Sequence, residues 1–104
     1  MEERWYTAKC LYKAVHAGDE PAHEQLHEHR YFLIRGSDEA DAMKKALAIG
    51  AGHQHSYQNQ FGAIVKWILE HVIDVKEILD FELKDGLEIY HEYIEGNPAR
   101  PDTI

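Results

Sequence analysis

Phe61-Gly62-Ala63-Ile64-Val65-Lys66-Trp67-Ile68-Leu69-Glu70-His71-Val72-Ile73-Asp74-Val75 is the longest apolar run of the chain, and its reading decides the fold. With period two, Val65, Trp67, Leu69, His71 and Ile73 share one face, and Lys66, Ile68, Glu70 and Val72 the other. With period 3.6, Ile64, Ile68, Val72, Val75 and Leu79 form a stripe that a helix could bury. Periodicity alone does not choose. Gly62 ahead of the run favours a strand, as does its content of Ile64, Val65, Ile68, Val72, Ile73 and Val75. β-branched side chains lose little in a pleated conformation and crowd a helix.

Around this run, 104 residues give room for one domain with one modest core. An apolar share of 44% is ordinary for a globular chain. No run approaches the ~20 apolar residues that span a bilayer, and Met1-Glu2-Glu3-Arg4-Trp5 carries no signal-peptide pattern. A cytoplasmic protein is the default expectation. The net charge of −8 argues against nucleic acid and anionic membranes, which both select basic surfaces. The eight histidines would bring that charge to zero if all were protonated. A single cysteine, Cys10, excludes an internal disulfide and reads as a buried thiol.

Upstream, residues 4–16 alternate and predict a first strand that buries Tyr6, Ala8, Cys10, Tyr12 and Ala14. Residues 17–21 form a turn or loop, and residues 29–35 a second strand paired antiparallel with the first. Ser37 can cap a helix over 38–49, with Asp38 and Glu39 at its positive end. Ala40, Met43, Ala46, Leu47 and Gly50 would form its narrow packing face. Residues 52–60 are polar, either loop or short strand, and lead into a turn at 59–62. Asp74-x-x-Glu77 has capping-box character, which suggests a short helix over 75–84. Residues 87–95 alternate again and predict a last strand at a sheet edge. Residues 97–104, with Pro98 and Pro101, form a tail expected to be dispensable, so the domain is taken as 1–96.

The ordered pieces are Trp5-Tyr6-x-Ala8-Lys9, Glu39-Ala40, Ser56-Tyr57-x-Asn59 with Gly62, Trp67, Asp74-Val75-x-Glu77-x-Leu79 and Asp85-Gly86-x-Glu88-x-Tyr90. At these spacings the chain resembles the domain-of-unknown-function 4288 family, small bacterial proteins, up to about Glu92. The resemblance implies an α+β domain and so supports the strand reading of the central run. It implies no reaction, ligand or partner. The histidine-rich loop and the proline-containing tail depart from the family's pattern.

Three groups of residues could carry chemistry. His23-Glu24-Gln25-Leu26-His27 spells H-E-x-x-H, the zinc pair and general base of metalloproteases when set on a helix. Here the second strand starts too soon to leave such a helix, and no apolar face backs it. The pattern is expected to be a chance match, with weak metal binding through His23, His27 and His29 as the alternative. His53 and His55 would share a face in a strand, but no third ligand lies nearby. Trp5, Tyr57, Asn59, Trp67, Glu88 and Tyr90 could build a recognition surface. Core packing by the tryptophans and an Asx-turn at Asn59 account for them without any ligand.

The fold class expected is α+β: a curved antiparallel sheet of four or five strands with one main helix on one face. Trp67 is expected at the centre of the core. The function expected is that of a non-catalytic binding or accessory module acting through protein–protein contact, as a homodimer or with an unknown protein partner. No cofactor is expected. The alternative is a metal-dependent hydrolase using His23, Glu24 and His27.

Overall fold

The computed structural model of the chain describes residues 2–17, 26–79 and 82–96. Four strands and one helix follow in the order β1 (Arg4–Ala17), β2 (His27–Gly36), α1 (Glu39–Gly52), β3 (His55–Gln58) and β4 (Ile64–Glu77). The strands form one curled antiparallel sheet in the order β2-β1-β4-β3. The α+β class, the antiparallel sheet and the single main helix are as expected. No helix among the described residues is long and apolar enough to cross a membrane.

The central run is a strand, and a longer one than expected. β4 pairs with β1 along its whole length, from Ile64 opposite Ala17 to Glu77 opposite Tyr6. Two register shifts interrupt the ladder. Lys9 faces Asp74 while Cys10 faces Val72, and Leu11 faces His71 while Tyr12 faces Leu69. Ile73 and Glu70 are therefore the extra residues of two β-bulges. Each bulge reverses the alternation downstream of it. Val65, Trp67, Leu69, Val72 and Val75 all end on the face of buried Ala8, Cys10 and Tyr12. Steps of two followed by steps of three fit neither a strand nor a helix template, which is why the run reads as both.

α1 packs on that face. Its buried residues are Ala42, Ala46 and Gly50, a stripe at steps of four. The expected face of Ala40, Met43, Ala46, Leu47 and Gly50 is thus rotated, and Leu47 points outward. Small side chains let the helix approach closely. The Tyr12 hydroxyl donates to the Gly50 carbonyl at 2.6 Å. A Cβ on Gly36 would stand 3.0 Å from the backbone nitrogen of Ala42. The N-cap is Asp38 rather than Ser37: its carboxylate accepts from the Asp41 amide at 2.8 Å. The Asp41 carboxylate reaches back to the Ser37 amide at 2.9 Å, and that bond holds its pKa below the usual range.

The core gathers Tyr6, Ala8, Cys10, Tyr12, Ile34, Ala42, Ala46 and Val75. Tyr12, Ile34 and Cys10 are its largest fully buried side chains. Trp67 is only half-buried beside this cluster, so the core centres on Tyr12 instead. Burial pushes the Cys10 thiol up, as an inert structural cysteine requires.

Two further elements differ from expectation. No helix forms at 75–84 among the described residues, because β4 continues through Glu77 and the Ile78 amide donates to the Trp5 carbonyl at 2.8 Å. Residues 87–95 form no strand. They cross the sheet as an arm on the face opposite α1, and bond to it through side chains. The tail at 97–104 lies outside the described residues.

Candidate functional site

The odd-numbered face of β1 looks solvated in sequence, yet Thr7 and Lys9 are buried. The arm covers them. The Thr7 hydroxyl donates to the Ile89 carbonyl, and the Lys9 ammonium pairs with the Glu92 carboxylate. Glu92 holds the Lys9 pKa above its ordinary value, and Lys9 holds Glu92 below its own. Lys9 also lies 5.9 Å from the Tyr90 ring centre. Tyr90 packs edge-on against Tyr31 at 5.3 Å, and its hydroxyl donates to Asp74 at 3.2 Å. Burial, then the Asp74 carboxylate, push the Tyr90 phenol far up. A lysine that attacks a carbonyl needs a lowered pKa, and a tyrosine base needs the same. Both groups are shifted the other way, so they serve as fixed donors that tie the arm to the sheet.

Beside this tie the arm and the sheet enclose a cavity of about 280 Å³. Trp5 and Leu33 form its sheet side, and Leu83, Leu87 and Ile89 its arm side. Among the described residues, none of those lining it is charged, in a chain where 29% of residues are. Leu33, Leu83 and Ile89 are more than half exposed, Leu83 at 88%. Leu79, Tyr93 and Ile94 are exposed as well. Such a surface, lined by large aliphatic side chains, fits an apolar contact.

The six residues expected to form a recognition surface fall into two places. Trp5 lines the cavity, Tyr90 sits in the tie, and Glu88 lies on the arm 3.3 Å from His91 Nδ1. Tyr57, Asn59 and Trp67 belong to the β3–β4 hairpin. The Tyr57 ring stacks on His55 at 6.2 Å. The Asn59 side-chain oxygen accepts from the Phe61 amide at 2.9 Å and the Ala63 amide at 3.0 Å, which shapes the turn. Gly62 there has φ +83°, a value that disfavours any other residue. The Arg30 guanidinium lies 6.0 Å from the Trp67 ring and 4.3 Å from the Tyr12 ring.

Of the metal candidates, His27 and His29 lie on β2, and His27 Nε2 is 3.6 Å from Glu70. His23 and Glu24 lie outside the described residues. Among the described residues no group of three or more His, Cys, Asp or Glu is placed to hold a metal. His53 packs against Phe32 at 4.7 Å, ring centre to ring centre.

Sequence reasoning missed Thr7, Lys9, Leu33, Leu83 and Ile89. The available signal was the apolar content of 83–94, large for a segment that forms no strand.

No curated protein and no solved structure matches the chain. The model of the family described as "Domain of unknown function (DUF4288)" matches residues 5–91, from Trp5 on the cavity's sheet side to His91 on its arm, and the chain belongs to that family.

Proposed function

We propose that the chain is a non-catalytic binding module that works by protein–protein contact through the face carrying the arm. The supporting observation is the uncharged cavity between Trp5, Leu33, Leu83 and Ile89, with aliphatic side chains left open to solvent around it. Apolar side chains at this density gain free energy when a partner removes them from water, at about 25 cal/mol per Å². The upward shifts of Lys9 and Tyr90 fit a structural tie and not proton transfer.

Affinity capture from the native cell extract tests this reading, with wild type compared against Leu83→Glu/Ile89→Glu. A protein retained by wild type and lost with the double variant is the expected result. Identical retention by both contradicts it. Stoichiometric zinc in tag-free protein, with peptidase activity lost on Glu24→Gln, would replace it with the hydrolase reading.

A further inference from the structure

The contact reading leaves the form of the partner open, and the inference that follows rests on that reading. The sheet runs β2-β1-β4-β3, so β1 covers one side of β2 and no described strand covers the other. The parity of the backbone bonds fixes which groups are left over. The Ala14 amide donates to the Leu26 carbonyl at 3.0 Å, in step with the register that sets Ala8 opposite Phe32 and Tyr6 opposite Ile34. The Ile78 amide donates to the Trp5 carbonyl at 2.8 Å, so the odd-numbered residues of β1 bond toward β4 instead. In an antiparallel pair, residues that exchange both bonds alternate with residues that exchange none. Even-numbered residues of β2 are therefore bonded to β1, and the amides and carbonyls of His29, Tyr31 and Leu33 point away from the sheet. The Arg35 carbonyl, next in that row, fits this direction, since it accepts from the Lys45 ammonium at 2.8 Å. Among the described residues, His29, Tyr31 and Leu33 have no backbone partner on that side.

Sheet edges left open to water are ordinarily blunted by charge, proline or a bulge. This one carries Tyr31-Phe32-Leu33-Ile34 at its centre, with Tyr31 and Leu33 about half exposed. We infer that β2 takes up an extended segment of a partner protein as a fifth strand, with large apolar side chains two residues apart lying against Tyr31 and Leu33. The occupant follows from the groups on offer. A row of amides and carbonyls about 6.8 Å apart is matched by another extended backbone, and not by a helix, whose own groups bond internally. The side chains follow from the same strand. Tyr31 and Leu33 stand opposite Lys9 and Thr7, on the face that carries the arm, and line the cavity with Trp5. A strand added about 4.8 Å away sets every second side chain against that uncharged wall. Main-chain bonds supply the affinity, and the wall selects apolar side chains over charged ones.

A displayed library of random peptides about ten residues long, panned on the wild-type protein, tests the inference. The retained peptides should share large apolar residues at i and i+2 and lack a central proline. One of them is then synthesised with alternate residues N-methylated, in both parities. The set whose amides face β2 should lose at least about tenfold in affinity, and the other set should stay within a few fold of the parent. No retained peptide, or equal weakening by both sets, overturns the inference. On the protein side, Leu33→Pro removes an outward amide and no bond to β1, a change that an edge strand tolerates. It should bind the parent peptide more weakly than Leu33→Ala does, with the cooperative thermal transition kept. Equal affinity of the two variants overturns the inference. If Leu33→Pro fails to fold, the methylated pair decides alone. A wild-type dimer that Leu33→Pro dissociates would assign the edge to a second copy and overturn the foreign segment. A protein captured from extract by wild type and Leu33→Pro alike, but lost with Leu83→Glu/Ile89→Glu, would sink the added strand and leave the contact reading standing.

Discussion

Tyr12 is fully buried under α1, with its hydroxyl 2.6 Å from the Gly50 carbonyl. Tyr12→Phe removes that donor but leaves the Gly50 carbonyl its bond from the His53 amide at 3.2 Å, so the cost should be about 0.5–1.5 kcal/mol. Tyr12→Ala should cost about 3–5 kcal/mol and more than Trp67→Ala, an order that urea denaturation of the two variants checks. The alternation of β1 made Tyr12 legible as a core residue. It did not make it central: size pointed to Trp67, but α1 seats over Tyr12 and leaves Trp67 at the rim beside Ala14. The Lys9–Glu92 pair was not legible, since nothing in the spacing of Lys9 and Glu92 brings them together. Its pH behaviour follows from the two shifts. Glu92 is lowered, so its contribution is present above the ordinary carboxylate range and is lost as pH falls through its folded value. Lys9 is raised, so its contribution is present below the ordinary lysine range and is lost only at high pH. Glu92→Gln should therefore lower Tm at neutral pH and converge with wild type in strong acid, where Glu92 is protonated in both folded and unfolded chains. A Tm difference that is the same at both pH values would contradict the pairing.

At the scale of elements, β4 shows why period-two reading stops short. Its existence was legible from β-branched content, but its bulges at Glu70 and Ile73 were not, because a bulge is set by the partner strand. Deleting Ile73 should close that bulge into a regular ladder, with Lys9 still opposite Asp74, Cys10 opposite Val72, and Val72 and Val75 on one face. A retained cooperative thermal transition is the expected result, and its loss would show that Ile73 is not the inserted residue. The seat of α1 depends on Gly36. A Cβ there meets the Ala42 nitrogen at 3.0 Å and its Cα at 3.2 Å, both backbone atoms that side-chain rotation cannot move aside. Gly36→Ala should destabilise by about 1–3 kcal/mol, read as a lower urea midpoint at unchanged slope. The turn at 59–62 was legible, because Asn59 and Gly62 each have a local reason to be there. The last strand was over-read. Alternation at 87–95 states which side chains can share a face, and the backbone finds no strand partner among the described residues.

At the scale of the molecule, the class and the single helix were legible, and the arm's course was not. A covered sheet face depends on where residues 82–96 return, which a one-dimensional pattern does not encode. Their return buries Thr7 and Lys9 and leaves Leu79, Leu83, Ile89 and Tyr93 open. We propose that this surface is the contact face for a partner protein. Hydrogen exchange read by mass spectrometry, on the free protein and on the complex captured from native extract, tests this most directly. Peptides covering 82–96 and β2 should exchange more slowly in the complex, while those from the outer side of α1 and from β3 should not change. Exchange of the arm at the same rate in both samples would contradict the proposal.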